Sequence, residues 1–494
     1  MIQLLKILYY IYLKFQLQSM SLPTEFLSAH DYFRASVNFL QTHSWIYHSA
    51  NTRFIKAGVF EKFPPDFVEY FLKLKNSDLN KFPFLHECDD FNNGIDSPAL
   101  QSFRSTLRKL IPKQAYDYTD HSDLTPRQVL LKSQLRKIRV KKQHEIIQLT
   151  KVILTHCCDA SLLLDFGAGL GYLSESLCSV NTSWCVLGLE SDNCRVTAAR
   201  KRLQQQMPEA SRRVIYVQQL IEANSSSAIK QHIACSRFDD SQAMLGKWAI
   251  IGLHACADLS VTAINLFLEL AEVKCLVIMP CCYHKLQQTT DGNFLNFPLS
   301  KSLKKIVAEK KEDIESYLNR PFLRLACQET SARWRNSSGD EHLAHGKQMF
   351  WRAVADAIID DETETIRTLV KSQRPAADIY KTESFANFCQ HYELRSKATD
   401  VQHLPGALWN DKHEEKFNEI VEKYSDTGPK LAEALTCLQT TLQKLCENIV
   451  LYDRLCYMQE YAEERPNLKL NVQIQKILDE KLSPRCYALI AEKL

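Results

Sequence analysis

The sequence predicts an α/β fold: a Rossmann-like, doubly wound sheet with an N-terminal helical domain and a large helical insertion before the last two strands. Three observations predict it. A glycine turn at 165–171 stands between an apolar run and a helix-compatible segment, as in the first unit of a nucleotide-binding domain. Four further strand-like runs alternate with helical segments, which is typical of a parallel sheet. Two more strand-like runs, 471–477 and 486–491, lie near the end of the chain and would complete the sheet.

The same pattern gives the expected organisation of the chain. In such a sheet, ligands bind outside the carboxyl ends of the strands, so the functional residues should follow the strands of the core. The expected segments are an apolar leader (1–19), a helical lead domain (20–125), the core with the first five strands (126–296), a helical insertion (297–440) and the closing strands (441–494).

The glycine turn reads D-F-G-A-G-L-G, which is not the G-x-G-x-x-G spacing that fits a dinucleotide. It suits a cofactor without phosphates, namely S-adenosylmethionine. Asp165 would bind the cationic amino-acid end, and Gly167, Gly169 and Gly171 would allow close approach of the backbone. Glu190, at the end of the second strand, would accept both ribose hydroxyls. The alternative is a generic strand–turn–helix unit with an incidental glutamate.

Composition sets limits on function. The 494 residues are 45% hydrophobic and 24% charged, as in an ordinary globular protein. A net charge of +3 means that any affinity for nucleic acid must come from local clustering. The 17 cysteines form no C-x-x-C pair, which favours free thiols in a reducing compartment over disulfides. We therefore expect an intracellular protein, either cytoplasmic or nuclear.

The first 19 residues are strongly apolar but are interrupted by Lys6 and Lys14. They are short for a membrane-spanning helix, and no small-residue cleavage site follows. The alternatives are a helix on a membrane surface, a degenerate signal, or a leader upstream of a second start at Met20. No other stretch of the sequence could span a bilayer, so we expect no membrane association apart from this leader.

A basic segment lies between the helical lead and the first strand. It contains no acidic residue and is the best candidate in the chain for binding RNA phosphates, although a solvated helix face is the common alternative. Its basic residues are Arg127, Lys132, Arg136, Lys137, Arg139, Lys141 and Lys142. His144 and Glu145 follow at the start of a helix and would lie near the cofactor cleft. We take Lys141, Lys142, His144 and Glu145 as candidate substrate-binding residues, with helix capping and surface roles as alternatives.

The fourth strand ends in His254, Cys256 and Asp258. Methyl transfer requires a nucleophile held in line with the sulfonium, and an imidazole can remove a proton from that nucleophile near neutral pH. His254 is therefore a candidate general base that would also border the cofactor. Asp258 could orient His254, hold substrate, or cap the next helix.

The fifth strand ends in P-C-C-Y-H-K, where Cys281, Cys282 and His284 are further catalytic candidates. Two buried apolar cysteines are the alternative. Tyr283 would line a substrate pocket. The cluster lacks the second spaced pair of a structural zinc site, and a complete site would have to borrow His254 or Cys256. We therefore predict no metal.

These residues resemble the methyltransferase-like 25 proteins, a family that includes members labelled ribosomal RNA adenine dimethylase domain-containing. The resemblance covers the core and reaches the C-terminus. The motifs that carry it are K-K-x-H-E (141–145), D-F-G-A-G-L-G (165–171), H-A-C-x-D-L (254–259), P-C-C-Y-H-K-L (280–286) and S-P-R-x-x-A-L (483–489). The resemblance implies a class I methyltransferase that uses S-adenosylmethionine, without a settled substrate.

Two departures qualify this resemblance. The family usually has glycine at the position of Ala257, and the N/D-P-P-Y/F tetrad that grips an exocyclic amine is missing after the fourth strand. More distantly, the two strand exits resemble those of tRNA ribose methyltransferases of the Trm-thirteen type. Tyr283 replaces the first histidine of their C-C-H-H block.

We expect a methyltransferase that acts on RNA. The alternatives are methylation of a protein, with Cys281, Cys282 and Tyr283 lining a side-chain pocket, and an interaction protein that binds the cofactor without catalysis.

Overall fold

The structure is a computed structural model that describes residues 22–87, 89–115, 138–236, 238, 246–310, 313–327, 331–369, 384–397, 409–424 and 426–494. The leader at 1–19 and the basic residues at 127–137 therefore lie outside the described residues. None of the described helices is long and apolar enough to cross a membrane.

The α-helices are α1 (Ala29–Thr42), α2 (Pro65–Lys73), α3 (Pro98–Leu110), α4 (Val140–His156), α5 (Tyr172–Val180), α6 (Asn193–Gln206), α7 (Ser226–Cys235), α8 (Asp258–Glu269), α9 (Lys301–Ala308), α10 (Arg320–Leu325), α11 (Ser331–Asn336), α12 (Gly339–Ile358), α13 (Phe385–His391), α14 (Asp411–Tyr424) and α15 (Gly428–Glu463). The strands are β1 (Ala160–Phe166), β2 (Cys185–Glu190), β3 (Val214–Gln218), β4 (Lys247–Cys256), β5 (Val273–Cys281), β6 (Glu364–Thr368), β7 (Tyr392–Ser396), β8 (Leu470–Lys476) and β9 (Tyr487–Lys493).

Seven strands form one sheet in the order β3-β2-β1-β4-β5-β9-β8. The first five strands are mutually parallel, and β9 runs antiparallel to both β5 and β8. The α/β fold class is thereby confirmed. The central strands are near-continuous apolar runs because helices cover both faces of such a sheet.

The closing strands come from the end of the chain, as predicted. In β9, Leu489 and Ile490 are fully buried and pair with Ile278 and Val277 of β5. Its pairing partner β8 lies at the edge of the sheet. Polar and apolar residues alternate along β8, but Gln473, Ile474 and Gln475 are all buried, so the polar face of this edge strand is covered as well.

The chain divides into two compact units that cut across the expected domains. Of the described residues, those within 1–38, 109–332 and 444–494 form the first unit, which contains the seven-stranded sheet. The second comprises Phe39–Arg108 and Arg333–Gln443, so most of the expected lead domain shares one unit with most of the expected insertion.

Two details correct the expected segments. The insertion is not all helical, because β6 and β7 form a two-stranded antiparallel sheet within it. The segment expected to hold only closing strands begins with the last part of α15. Both β6 and β7 are five residues long, too short for their alternation to stand out in the sequence.

The second unit has its own core. The rings of Trp351 and Phe417 stack with centroids 5.9 Å apart, and Phe388 packs against Phe417 at 5.1 Å. Position 346, inside α12, requires glycine, because a Cβ there would come within 2.4 Å of the carbonyl oxygen of Pro429. Close helix packing thus accounts for a glycine that otherwise weakens a helix.

Candidate active site

The glycine turn connects β1 to α5 with three left-handed residues, Gly167, Gly169 and Gly171. Gly171 is required by packing, because a Cβ there would lie 2.1 Å from the hydroxyl oxygen of Tyr216. That hydroxyl donates to the carbonyl of Gly171 at 3.0 Å. Gly169 is different: the nearest atom to a Cβ there is the Gly167 oxygen at 3.9 Å. Tyr216 therefore packs against the turn at Gly171, whereas the turn faces open space at Gly169.

Two buried carboxylates flank this turn. Asp165 is 2% exposed and accepts a hydrogen bond from Ser174 Oγ at 2.6 Å. Burial raises its pKa to about 6, and the charge of Lys142 opposes the rise. Glu190 accepts from the amide of Gly169 at 2.9 Å, so the second-strand carboxylate is tied directly to the turn.

The arrangement fits S-adenosylmethionine. A carboxylate follows each of two adjacent parallel strands, one for a cationic amino-acid end and one for a ribose diol. At Gly169 a side chain would fill the open space beside the turn, so glycine leaves that space for a ligand. Asp165, Glu190 and the turn glycines are thus the residues that would hold the cofactor.

Glu145 joins three distant segments at the carboxyl end of β4. It lies near the start of α4 and is only 2% exposed. Its Oε1 accepts from Ser483 Oγ at 2.9 Å, and its Oε2 lies 3.3 Å from Nε2 of His254. Although burial opposes it, hydrogen bonding to His254 lowers the pKa of Glu145, which favours the carboxylate. Glu145 is therefore buried against His254 and is not a surface group for substrate, which corrects that expectation.

His254 is held by this carboxylate but is not enclosed, because its side chain is 37% exposed. A proton on Nε2 donated to Glu145 leaves Nδ1 as the proton acceptor. A carboxylate that fixes the ring in this way is the arrangement of a general base and its orienting partner.

The other K-K-x-H-E residues have unequal surroundings. His144 Nε2 accepts from the backbone N–H of Asp479 at 3.0 Å, so His144 fastens the β8–β9 connection and is corrected as a substrate ligand. Lys141 lies 3.8 Å from Glu145 and remains 45% exposed. Lys142 acts by charge on Asp165.

Asp258 neither orients His254 nor caps α8 in the described structure. Its carboxylate accepts from the amide of Gln287 at 3.0 Å and from Asn296 Nδ2 at 2.7 Å. It thus fastens the loop that follows β5. The N-cap of α8 is Ala257, which has φ 50° and ψ −126° and makes no side-chain cap.

Three thiols meet where β4 and β5 end. Sγ of Cys256 lies 2.9 Å from Sγ of Cys281, and with Cys282 all three sulfurs lie within 4.8 Å of one another. Hydrogen bonds from Cys281 lower the pKa values of Cys256 and Cys282, whereas the same bonds raise the pKa of Cys281. The charge of Arg485 adds to the lowering at both. Cys281 itself is 1% exposed, which makes it a poor catalytic nucleophile.

Tyr283 and His284 have different surroundings. Tyr283 is 2% exposed, and the guanidinium carbon of the buried Arg454 lies 5.1 Å from its ring centroid. This corrects the expected substrate pocket. His284 is partly exposed, its Nδ1 lies 3.2 Å from Sγ of Cys327 just after α10, and burial lowers its pKa. The charge of Cys282 also acts on His284 and opposes that lowering.

The sequence interpretation assigned no role to Ser483, Arg485 or Tyr216. Ser483 and Arg485 belong to the S-P-R motif near the C-terminus, which brings a hydroxyl to Glu145 and a cation to the thiols. The S-P-R motif was the sequence feature that could have indicated these two residues. Nothing in the sequence indicated the contact between Tyr216 and Gly171.

Comparisons with known proteins show what this part of the chain is similar to. A family model described as a methyltransferase domain matches residues 141–289, from Lys141 past the end of β5. The human "Probable methyltransferase-like protein 25" is 26% identical over 335 residues, which are 65% of this chain and 49% of that protein. Its mouse counterpart is 27% identical over 260 residues, 49% of this chain and 37% of that protein.

The chain thus spans about half or less of the length of these relatives. Among solved structures, the plantazolicin methyltransferase BpumL in complex with SAH is 12% identical and covers 54% of this chain and 84% of its own, with a TM-score of 0.20. A score this low bears neither on the fold nor on the substrate of this chain.

The sheet, the glycine turn and the matched family model define a methyltransferase domain of class I architecture, and the turn with its two carboxylates fits S-adenosylmethionine. The resemblance to the methyltransferase-like 25 family is confirmed by its human and mouse relatives.

Proposed function

We propose that this chain is an S-adenosylmethionine-dependent methyltransferase that acts on RNA. The observation that carries the proposal is the Glu145–His254 pair beside the carboxyl end of β4, at the edge of the sheet where the glycine turn opens. In this architecture the end of the fourth strand faces the acceptor group. A held imidazole at that place suits an acceptor that must lose a proton, such as a hydroxyl or an amine.

The cofactor, when bound, supplies an electrophilic methyl group. The protein residues do the rest. His254 Nδ1 accepts the proton of the attacking group, and Glu145 keeps the ring in position and stabilises the imidazolium that forms. Ser483 holds the second oxygen of Glu145, so the carboxylate cannot rotate away from His254.

The basic segment supports RNA as the substrate. Its described end includes Arg139, the N-cap of α4, and Lys141 in the first turn, both exposed. The same turn carries Lys142, so two cations that act on Glu145 and Asp165 stand at the start of the helix that holds Glu145. Phosphates are the expected partners of such a run, and their contribution falls with salt.

We further propose that the protein acts inside the cell. Sixteen cysteines of the described residues are free, including pairs close enough to react with each other. Sγ of Cys157 lies 3.1 Å from Sγ of Cys275 without a disulfide, which is the expected state in a reducing compartment.

The test is transfer of a labelled methyl group to total RNA and to total protein. We expect label in RNA and a loss of about a hundredfold or more in the His254→Asn variant. His156→Asn is the matched control, because His156 forms a similar pair with Glu492 at 2.7 Å on the last turn of α4. The control should retain transfer.

Three other outcomes are informative. Label in protein alone would replace RNA with a protein substrate. Cofactor binding without transfer to either fraction would leave a cofactor-binding interaction protein. If His254→Asn transferred methyl groups at the wild-type rate, the acid–base pair would have no part in the reaction.

A further inference from the structure

We propose that Cys256, Cys281 and Cys282 bind a zinc ion with one coordination position left open, at the carboxyl ends of β4 and β5. The sequence alone predicted no metal, since P-C-C-Y-H lacks a second spaced pair. The structure supplies the missing ligand from the neighbouring strand, because Cys256 pairs with Cys281 in the β4–β5 ladder.

The geometry of the three sulfurs suits one ion. Thiolates that bind zinc at about 2.3 Å in a tetrahedral arrangement stand about 3.8 Å apart. The three sulfurs lie within 4.8 Å of one another, and those of Cys256 and Cys281 are 2.9 Å apart, so each must move by only about 1 Å or less. Two of the ligands are fixed by the ends of strands, so the group is largely formed before an ion arrives.

The backbone and the charge also favour a ligand. Cys282 has φ 52°, a left-handed conformation that is unusual for a residue with a side chain and is typical of functional sites. Nε of Arg485 is buried without a hydrogen-bond partner among the described residues. Arg485 acts on all three thiols by charge, so it would offset the net negative charge that three thiolates leave on a zinc ion.

The fourth position is open. Within the described part of the chain, no further cysteine, histidine or carboxylate joins the group. Zinc sites with three protein ligands keep the fourth position for water or substrate, whereas structural sites have four protein ligands. His254 precedes Cys256 by two residues on β4, and both side chains are partly exposed whereas Ala255 between them is buried. The ion would therefore lie at the same end of β4 as the proposed general base.

The experiment measures metal in the reduced, full-length protein without cofactor or RNA, so its result is independent of the proposed function. We expect about one zinc ion per chain by elemental analysis. Cobalt substitution should give a sulfur-to-cobalt charge-transfer band. Cys256→Ser and Cys282→Ser, both at partly exposed positions, should lower zinc affinity at least about a hundredfold.

Cys275→Ser is the matched control, because Cys275 also sits on β5 and contacts a second thiol, Cys157, at 3.1 Å. It should bind zinc like the wild type. A small thiol added to the cobalt protein should increase the charge-transfer band by filling the open position. An unchanged band would overturn the open position. A wild-type protein that binds neither ion, that prefers copper(I), or that loses nothing in the serine variants would overturn the zinc site.

Discussion

The pH dependence of cofactor affinity tests the role of Asp165. Burial raises the pKa of this carboxyl to about 6 in the free protein. A cationic amino-acid end binds the ionised form, so binding must first remove the proton. At pH 5 only about a tenth of a carboxyl with this pKa is ionised, and at pH 8 nearly all of it is. We expect affinity to weaken about tenfold from pH 8 to pH 5, about 1.4 kcal/mol.

Asp165→Asn separates this effect from other titrating groups. The variant keeps an oxygen that can accept from Ser174, but it has no charge. It should bind the cofactor more weakly than the wild type at pH 8 and show no weakening between pH 8 and pH 5. Calorimetry across this range is the assay. Wild-type affinity independent of pH, or a variant that keeps the wild-type slope, would refute contact between Asp165 and the cofactor.

The raised pKa of Asp165 also makes the free energy of unfolding depend on pH. Because the folded pKa of Asp165 is raised from 3.8 to about 6, its contribution is fully present below pH 3.8 and is lost as pH rises through 6. The full loss is about 3 kcal/mol, and about half of it falls between pH 5 and pH 7.5. Burial also raises the pKa of Glu447 to about 7, so only the difference between wild type and Asp165→Asn in denaturant unfolding isolates Asp165.

Three further predictions follow from the site and the sheet. Glu145→Gln should lower kcat about a hundredfold with little change in KM, because His254 loses its orienting charge; equal kcat would refute the pairing. Ala257→Gly should raise the free energy of unfolding by about 1 kcal/mol, because φ 50° and ψ −126° strain a residue with a Cβ; an unchanged unfolding midpoint would contradict that strain. Deletion of 485–494 should abolish cooperative unfolding, because it removes β9 between β5 and β8; a truncated protein that melts normally would show that β9 is dispensable.

Local sequence patterns were sufficient for the sheet. The glycine turn, the apolar runs and the polar strand ends each depend on a few consecutive residues. They were therefore enough to locate β1 to β5 and to place Asp165 and Glu190 near the ends of β1 and β2. The closing strands were also predicted, because 471–477 and 486–491 are β-like and the sheet lacked two strands.

Side-chain contacts between distant segments could not be predicted from local sequence patterns. Glu145 meets His254 and Ser483 only because α4, β4 and the β8–β9 connection converge. Asp258 looked like a partner for His254 from proximity in sequence, but Asn296 and Gln287 occupy it. The division into units was missed for a similar reason, since helical periodicity shows which face is buried and not which helix covers it.

The directions of the side chains at the end of β5 were also not predictable from the sequence. P-C-C-Y-H offers four functional side chains in sequence, yet Tyr283 packs inward against Arg454 and His284 turns to Cys327. The positive φ of Cys282 sends the chain in a new direction at that point, so strand alternation no longer predicts which residues face the cleft.

The most direct test of the central claim is calorimetric binding of S-adenosylmethionine to the wild type and to Gly169→Arg. The added side chain would fill the open space beside the turn. Gly94→Arg is the matched control, because Gly94 also has a positive φ, of 76°, and open space around it, but belongs to the second unit. We expect the wild type and the Gly94→Arg control to bind S-adenosylmethionine with micromolar affinity, and we expect no binding by Gly169→Arg. Folded wild-type protein that does not bind, or equal binding by Gly169→Arg, would contradict it.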